Sequence, residues 1–265
     1  MTGTEHLLLE RRGAVLVCTL NRPEARNALS LEMLARMADA WDESDRDPSI
    51  RVVVLTGAAG CFCAGADLKM MHTDQSGDPW QARYQENPKL HWRALMRDSR
   101  PLKPMIAAVE GFAVGGGTEL LQGTDIRIAG ESATFGLSEV KWGLFPLGGS
   151  TVRLRRQIPY AKAMDLLLTG RLFKAPEAER IGLLTRVVPD GTALDEAMRV
   201  AELIAANGPL AVQAVKRSVI ETEGLPEAEA LARELEIGWP ILATEDGKEG
   251  PRAFQEKRKP NFVGR

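Results

Sequence analysis

Residues 107–120 read AAVEGFAVGGGTEL, an apolar run that passes through Gly115, Gly116 and Gly117 into a helix-like segment. Glycine lets a backbone approach a ligand closely and adopt a positive φ. The first amides of a helix lack internal partners and lie at the positive end of its dipole. We therefore expect a strand-to-helix turn that presents amides to an anion or to a developing oxyanion.

A second loop of small residues, GAAGCFCAGAD at 57–67, follows another apolar run, RVVVLT at 51–56. In an open α/β sheet, ligands bind at the carboxyl ends of the strands, where such loops lie. One amide from each loop could therefore reach a single carbonyl oxygen. Each loop alone is equally compatible with a purely structural turn, and neither has the glycine spacing of the nucleotide-binding loops.

The remaining hydrophobic pattern predicts an α/β protein whose strands come first. Apolar runs at 14–20, 104–109 and 125–129 alternate with helix-like segments, and Ser30 is placed to cap the first of these. Helical periodicity dominates the second half of the chain. The candidate helices there are 160–168, 192–206, 209–222 and 226–242. The pattern predicts crossover helices between the strands, an all-helical part from about residue 200, and a charged tail at 246–265.

The composition excludes several classes of protein. Of the 265 residues, 44% are hydrophobic and 26% are charged, so the chain can bury a core without disulfides or metal ions. A net charge of −2 argues against a dedicated nucleic-acid-binding protein, and no apolar stretch approaches the ~18 residues that span a bilayer. Three cysteines, including the CxC pair Cys61 and Cys63, fit neither a disulfide framework nor a metal site. We expect a cytoplasmic protein without a bound metal and without a membrane or nucleic-acid partner.

Two glutamates are candidates for acid–base chemistry. Glu119 directly follows the three glycines, and Glu139 comes 20 residues later beside an apolar stretch at 140–147. A carboxyl group beside apolar side chains has a raised pKa, which suits proton exchange near neutral pH. A solvated surface charge is the alternative for each glutamate. No HExxH or GxSxG pattern is present, so the histidines do not indicate a zinc protease or a serine hydrolase.

Taken together, the motifs resemble the crotonase superfamily, also called the enoyl-CoA hydratase/isomerase family. The resemblance covers nearly the whole chain. The matching segments are 20–29 (LNRPEARNAL), 61–69 (CFCAGADLK), 107–120, 125–129 (DIRIA), 135–139 (FGLSE) and 167–170 (LLTG). It implies an α/β fold of stacked ββα units that form a spiral, with the site in residues 1–200. It also implies a helical trimerisation region at 201–265 and assembly into trimers or into hexamers that are dimers of trimers.

The resemblance also implies a chemistry. The ligand is a coenzyme A thioester, and the oxyanion hole falls on the backbone amides of Ala66 and Gly116. Glu119 acts mainly as the base that helps water attack Cβ, and Glu139 supplies a proton to Cα. The implied enzyme is a hydro-lyase, an enoyl-CoA hydratase of fatty-acid or steroid side-chain β-oxidation. It makes 3-hydroxyacyl-CoA and needs no cofactor, because coenzyme A is part of the substrate.

Positions that bind coenzyme A follow from the same resemblance. The backbone at Ala64 would receive the adenine, and basic side chains would lie near the phosphates. The implied coenzyme A contacts are Arg26, Ala64, Ala66, Asp67, Leu68, Lys69 and Gly116. The tail's Lys257, Arg258 and Lys259 are further candidates, including for a ligand bound to a neighbouring subunit. A solvated surface charge is the alternative for each basic residue.

Three other activities within this family remain open. A Δ3,Δ2-enoyl-CoA isomerase uses the same oxyanion hole with one glutamate, and an acyl-CoA hydrolase would release free coenzyme A. A non-catalytic RNA-binding relative fits poorly, because both glutamates are present. The sequence departs from many hydratases at Ser138, where proline is frequent, and at 142–149 (WGLFPLGG), which is bulkier than usual. These departures bear on which acyl groups fit.

Overall fold

The computed structural model describes residues 5–67 and 77–265. The strands are β1 (Leu7–Arg12), β2 (Val15–Leu20), β3 (Val52–Gly57), β4 (Met105–Val109), β5 (Phe112–Val114), β6 (Ile126–Gly130), β7 (Thr134–Gly136), β8 (Leu172–Lys174) and β9 (Arg186–Val188). The helices are α1 (Leu31–Arg46), α2 (Gln81–Glu86), α3 (Leu90–Ala94), α4 (Gly116–Leu121), α5 (Ser150–Gln157), α6 (Tyr160–Thr169), α7 (Ala175–Arg180), α8 (Ala193–Ala205), α9 (Pro209–Glu221), α10 (Glu227–Gly238) and α11 (Glu245–Gln255).

The strands form two sheets, and the predicted α/β class is confirmed. The larger sheet has the order β1-β2-β3-β4-β6-β9, and all its pairs are parallel except the β1–β2 hairpin. The smaller sheet has the order β5-β7-β8. Because parallel neighbours need crossover connections, helices cover the larger sheet and bury it. The carboxyl ends of β3 and β4 lie next to each other at one edge.

Successive side chains along the strands point to opposite faces of the larger sheet, and each face packs into its own apolar layer. Val15 and Val17 point to one face together with Val52, and there they pack against Ala197 and Ala201 of α8. The intervening residues face the main core. Helix α8 therefore belongs to this sheet although it spans the predicted boundary at residue 200. No helix within the described ranges is long and apolar enough to cross a bilayer.

Local sequence explains where α1 begins. The hydroxyl of Ser30 accepts a hydrogen bond from the amide of Met33 at 3.1 Å, which caps the first turn as predicted. The indole of Trp41 lies fully buried on the inner face and donates to the carbonyl of Ala94 at 2.9 Å. Through this contact α1 and α3 form one wall, which borders the cavity described below.

Several elements differ from the sequence prediction. Strand β1 is an edge strand in which five of six residues are exposed, and its apolar residues are confined to 7–9, which is too short a run to mark a buried strand. Strands β5, β7, β8 and β9 have three residues each, which is too short for a detectable period. The segment predicted only as a charged tail at 246–265 contains most of α11.

The end of the chain is docked by buried carboxylates of α11. Asp246 accepts hydrogen bonds from the amides of Val263 and Gly264 at 2.7 and 2.9 Å. Glu249 accepts from the amide of Asn261 at 2.9 Å and pairs with Arg258. These contacts lower the pKa of Glu249 below its ordinary value, with the Arg258 hydrogen bond as the largest cause. The charged residues of this segment therefore fix its position.

Candidate active site

The two glycine-containing loops lie against each other, as the sequence predicts. The amide of Cys63 donates to Phe112 at 2.7 Å, and that of Val114 donates back to Cys63 at 3.0 Å. Gly65 has a φ of +96°, and a Cβ there would lie 2.7 Å from the carbonyl oxygen of Val114 and 3.2 Å from the amide nitrogen of Gly116. Only glycine allows both this conformation and this contact.

The amides of Ala66 and Gly116 are available to a ligand. The amide of Leu29 donates to the neighbouring carbonyl of Gly65 at 2.8 Å, which fixes this part of the loop. Gly116 is the first residue of α4, where the amide has no helical acceptor. A Cβ on Gly116 would lie 3.6 Å from the Ala66 nitrogen. Within residues 5–67 and 77–265, neither amide has a protein acceptor, and both residues line the same cavity.

Glu119 lies on the inner side of α4 and is only 5% exposed. Its Oε1 accepts a hydrogen bond from the amide of Ser150 at 3.3 Å, and the amide of Gly148 also donates to this carboxyl group. Burial raises the pKa of Glu119 above its ordinary value, although these amides and the charge of Arg153 oppose the change. The carboxyl group therefore has two donors and a raised affinity for a proton.

Glu139 begins a 3₁₀ turn, Glu139–Trp142, which follows β7 after two intervening residues. Its Oε1 lies 3.2 Å from the position that a Cβ on Gly115 would occupy, so it is adjacent to the oxyanion loop. Its Oε2 is buried and has no hydrogen-bond partner within the described part of the chain. Burial, together with a smaller effect of the nearby charge of Glu119, raises the pKa of Glu139 to about 7. This carboxyl group can therefore carry a proton at neutral pH.

Both carboxyl groups and both amides border one cavity of about 600 Å³. Apart from the two glutamates, its lining is mainly apolar and aromatic. The lining residues are Leu29, Leu31, Leu34, Ala64, Gly65, Ala66, Tyr84, His91, Trp92, Leu95, Val114, Gly115, Gly116, Glu119, Ser138, Glu139, Trp142, Leu144, Phe145, Leu147 and Gly148. Such a cavity suits an apolar group attached to a carbonyl oxygen.

The other predicted contact residues differ in their surroundings. Ala64 lines the cavity, and its amide donates to the carbonyl of Arg26 at 3.0 Å. The exposed guanidinium of Arg26 lies 5.8 Å from the ring centre of Phe112. Asp67 pairs with Arg22 at 2.7 Å, so its side chain anchors the loop. The predictions for Leu68 and Lys69 lie outside the described residues.

Several groups that shape the site carry little signal in the amino-acid sequence. Gly148 and Ser150 donate to Glu119, and the only signal for them is the GGS run at 148–150, where α5 begins. Asn27, inside the motif at 20–29, donates to the carbonyls of Cys61 and Ala58 at 2.6 and 3.1 Å and so holds the first loop. The aromatic residues of α2 and α3 had no distinguishing signal.

The described residues contain no group of three His, Cys, Asp or Glu side chains placed to hold a metal ion. Of the CxC pair, Cys63 is fully buried, and this burial raises its pKa to about 12. Its Sγ accepts a hydrogen bond from the amide of Gly65 at 3.4 Å. Cys63 therefore packs as a small buried residue of the first loop, whereas Cys61 is only partly buried.

Known proteins are similar in sequence to this chain over nearly its whole length. The sequence profile of the family described as enoyl-CoA hydratase/isomerase matches residues 10–265. A curated relative from Mycobacterium tuberculosis, enoyl-CoA hydratase EchA19, is 57% identical over 97% of this chain and 96% of its own. The 2,3-dehydroadipyl-CoA hydratase of Escherichia coli is 38% identical over 98% of this chain and 99% of its own.

The fold agrees with solved structures of the same family. The crystal structure of enoyl-CoA hydratase EchA1 from Mycobacterium marinum matches with a TM-score of 0.89 and 42% identity, over 99% of this chain and 100% of that one. The predicted crotonase-like fold is thereby confirmed, and the names of the relatives agree with the predicted activity, a hydro-lyase. By profile, sequence and structure, the chain belongs to the enoyl-CoA hydratase/isomerase family of the crotonase superfamily.

Proposed function

We propose that this chain adds water across the C2–C3 double bond of a 2-enoyl-CoA thioester and gives the 3-hydroxyacyl-CoA. The substrate's thioester oxygen accepts hydrogen bonds from the amides of Ala66 and Gly116. These donors draw electron density from Cβ and stabilise the enolate that forms when water attacks. The amides are fixed before the substrate arrives, so little reorganisation opposes the step.

The two glutamates then divide the transfer of protons. Glu119 takes a proton from the water whose oxygen bonds to Cβ, and Glu139 gives its proton to Cα. The net change is the addition of one water molecule, and a proton passing from Glu119 to Glu139 restores the starting state. The raised pKa of Glu139, about 7, supports its role as the donor. The steps use no cofactor beyond the coenzyme A of the substrate.

One observation carries this proposal: two carboxyl groups and two unbonded amides border the same apolar cavity. An isomerase reaction would use the same amides with one carboxyl group. The second carboxyl group, Glu139, has a buried oxygen that no described residue bonds, and the attacking water is a suitable partner for it. The hydratase reaction accounts for both glutamates.

We further propose that coenzyme A extends from this cavity past the first loop. Ala64 is at the cavity wall, where its backbone would meet the adenine, and the exposed Arg26 would meet phosphate groups. Asp67 contributes through its backbone, because its side chain pairs with Arg22. Roles for Leu68 and Lys69 in binding coenzyme A remain predictions.

We propose that residues 1–200 contain the site and that residues 201–265 assemble the chain into trimers or hexamers. Support comes from large apolar side chains that α9 and α10 expose, such as Val215 at 66% and Leu235 at 60%. An apolar surface of this kind marks an interface between subunits.

The three unpaired cysteines fit a reducing compartment, which supports a cytoplasmic location.

The test uses crotonyl-CoA and follows the absorbance of its conjugated thioester, with mass spectrometry to detect the gain of one water. The variants Glu119→Gln and Glu139→Gln should each lower kcat by at least about 10²-fold, because each removes an acid–base group. Near-normal hydration by either variant would exclude that residue from the mechanism. Double-bond migration without hydration would indicate an isomerase, and free coenzyme A would indicate a hydrolase. Short, long and steroid-linked enoyl-CoA esters then identify the preferred acyl group.

A further inference from the structure

The carboxyl group of Glu119 takes its position from the backbone of one loop. Ser150 donates to Oε1 at 3.3 Å, and a Cβ on Gly148 would lie 2.7 Å from Oε2. Residues 143–149 lie between the 3₁₀ turn and α5 and form no helix or strand. A shift of this loop would therefore move Glu119 relative to the cavity.

Two arginines outside the cavity connect the segment after α3 to this loop and to helix α5, which follows the loop. Arg97 donates through Nε to the carbonyl oxygen of Leu147 at 2.8 Å. Arg153 donates through Nη2 to the carbonyl oxygens of Met96 and Arg97, the second at 3.2 Å. Met96 is fully buried with a φ of +54°, a conformation that non-glycine residues adopt only when their surroundings hold them. The loop and this turn therefore hold each other in place.

Arg97 also contacts the wall of the cavity. Its guanidinium carbon lies 4.9 Å from the ring centre of Trp92, which lines the cavity from α3. Its Nη1 donates to Asp98 at 3.1 Å, and its side chain is 43% exposed. The side chain thus connects the α3 wall to the loop that positions Glu119, and it does so from outside the cavity.

We propose that Arg97 is a positioning residue for hydration, because through Leu147 and Gly148 it holds the Glu119 carboxyl group in line with the attacking water. This inference rests on the proposed function. Arg97 acts on turnover rather than on binding of coenzyme A, since it contacts the loop at Leu147 and does not line the cavity. Displacing a reacting group by about 1 Å can lower a rate by ~10²-fold, so a partial loosening has a measurable effect.

The test compares Arg97→Met with Arg11→Met in the full-length protein. Methionine keeps an apolar stem over Trp92 and removes the donors. Arg11 is a matched control, because it is 36% exposed, donates through Nε to Gly13 at 2.8 Å and pairs with Asp47, all remote from the cavity. With crotonyl-CoA, Arg97→Met should lower kcat about tenfold with KM within about twofold, whereas Arg11→Met should leave both within about twofold.

A second measurement separates positioning from a general loss of structure. The amides of Gly148 and Ser150 lower the pKa of Glu119 against the effect of burial. A loosened loop weakens both hydrogen bonds, so the acid limb of the kcat/KM profile should move to higher pH in Arg97→Met. A merely structural role would reduce the amount of active enzyme and leave this limb where it is in the wild type.

Besides reduced activity with an unmoved acid limb, two results would overturn the proposal. One is an Arg97→Met enzyme with kcat within about twofold of the wild type and an unchanged acid limb. The other is a raised KM at unchanged kcat, which would give Arg97 a role in binding. If Arg97→Met does not fold, Arg97→Lys takes its place, because lysine keeps the charge beside Asp98 and lacks the Nε donor. Wild-type protein that does not hydrate crotonyl-CoA would instead contradict the proposed function.

Discussion

The carboxyl group of Glu139 combines a buried, unbonded oxygen with a charged neighbour, Glu119. Both features favour its neutral form. In the folded state the Glu139 carboxyl group therefore has a pKa of about 7, whereas an unperturbed carboxyl group loses its proton near pH 4.5. Between these pH values the unfolded chain binds fewer protons than the folded one, so stability falls as pH rises.

This linkage predicts that Glu139→Gln is more stable than the wild type above pH 7. Glutamine stays neutral, so the variant avoids the unfavourable burial of charge. Its thermal midpoint at pH 8 should exceed that of the wild type by about 2 °C or more, and the difference should shrink toward pH 4.5. Differential scanning fluorimetry across this range measures the effect, with the exposed Glu131→Gln as control. A variant less stable than the wild type at pH 8 would contradict the assigned burial.

At this scale the sequence indicates which residues matter but not their partners. Apolar neighbours on the chain identify Glu119 and Glu139 as candidates, because local context reflects burial. The donors Gly148 and Ser150 are about 30 residues away from Glu119 and reach it only through the tertiary fold. The connection made by Arg97 is likewise invisible in the sequence, since a surface arginine has no distinguishing pattern.

At the scale of elements, the contact between the two loops sets the geometry of the oxyanion hole. Gly65→Ala would add a Cβ 2.7 Å from Val114 O and strain a φ of +96°, so the loops must separate. Because loss of one donor from an oxyanion hole costs about 10²–10³ in rate, we expect kcat to fall at least 10²-fold. Crotonyl-CoA kinetics measure this effect.

Gly60→Ala is the matched control for this prediction. Gly60 also has a positive φ, +67°, but a Cβ there would meet no atom within 4 Å. The control therefore imposes backbone strain without a collision, and its kcat should stay within about threefold of the wild type. Equal losses in both variants would mean that strain, rather than the loop contact, lowers activity.

Long elements were predictable from the chain, and short ones were not. Helix α1 has a cap at Ser30 and a regular apolar stripe, and α6, α8 and α9 lie within one or two residues of their predicted bounds. Strands of three residues, such as β5 and β7, exist because tertiary pairing stabilises them. The strand β5 nevertheless holds the first loop in place, so the site depends on an element that no local pattern reveals.

At the scale of the whole molecule, exposed apolar side chains on the C-terminal helices predict an assembly. Light scattering coupled to size-exclusion chromatography should find a trimer or a hexamer of the 28.9-kDa chain. Leu235→Glu should shift this distribution toward the monomer, because it places a charge in the apolar surface. Leu9→Glu, on the exposed edge of β1, is the control. A wild-type monomer at micromolar concentration would contradict the predicted assembly.

The central claim is that Glu119 and Glu139 act together on one water molecule. The most direct test is kcat for hydration of crotonyl-CoA by the double variant Glu119→Gln/Glu139→Gln beside the two single variants. Groups that act as a unit have non-additive effects, so the double variant should be no more than about tenfold slower than the slower single variant. Losses that multiply in the double variant would show that the two carboxyl groups act independently and would contradict the shared water.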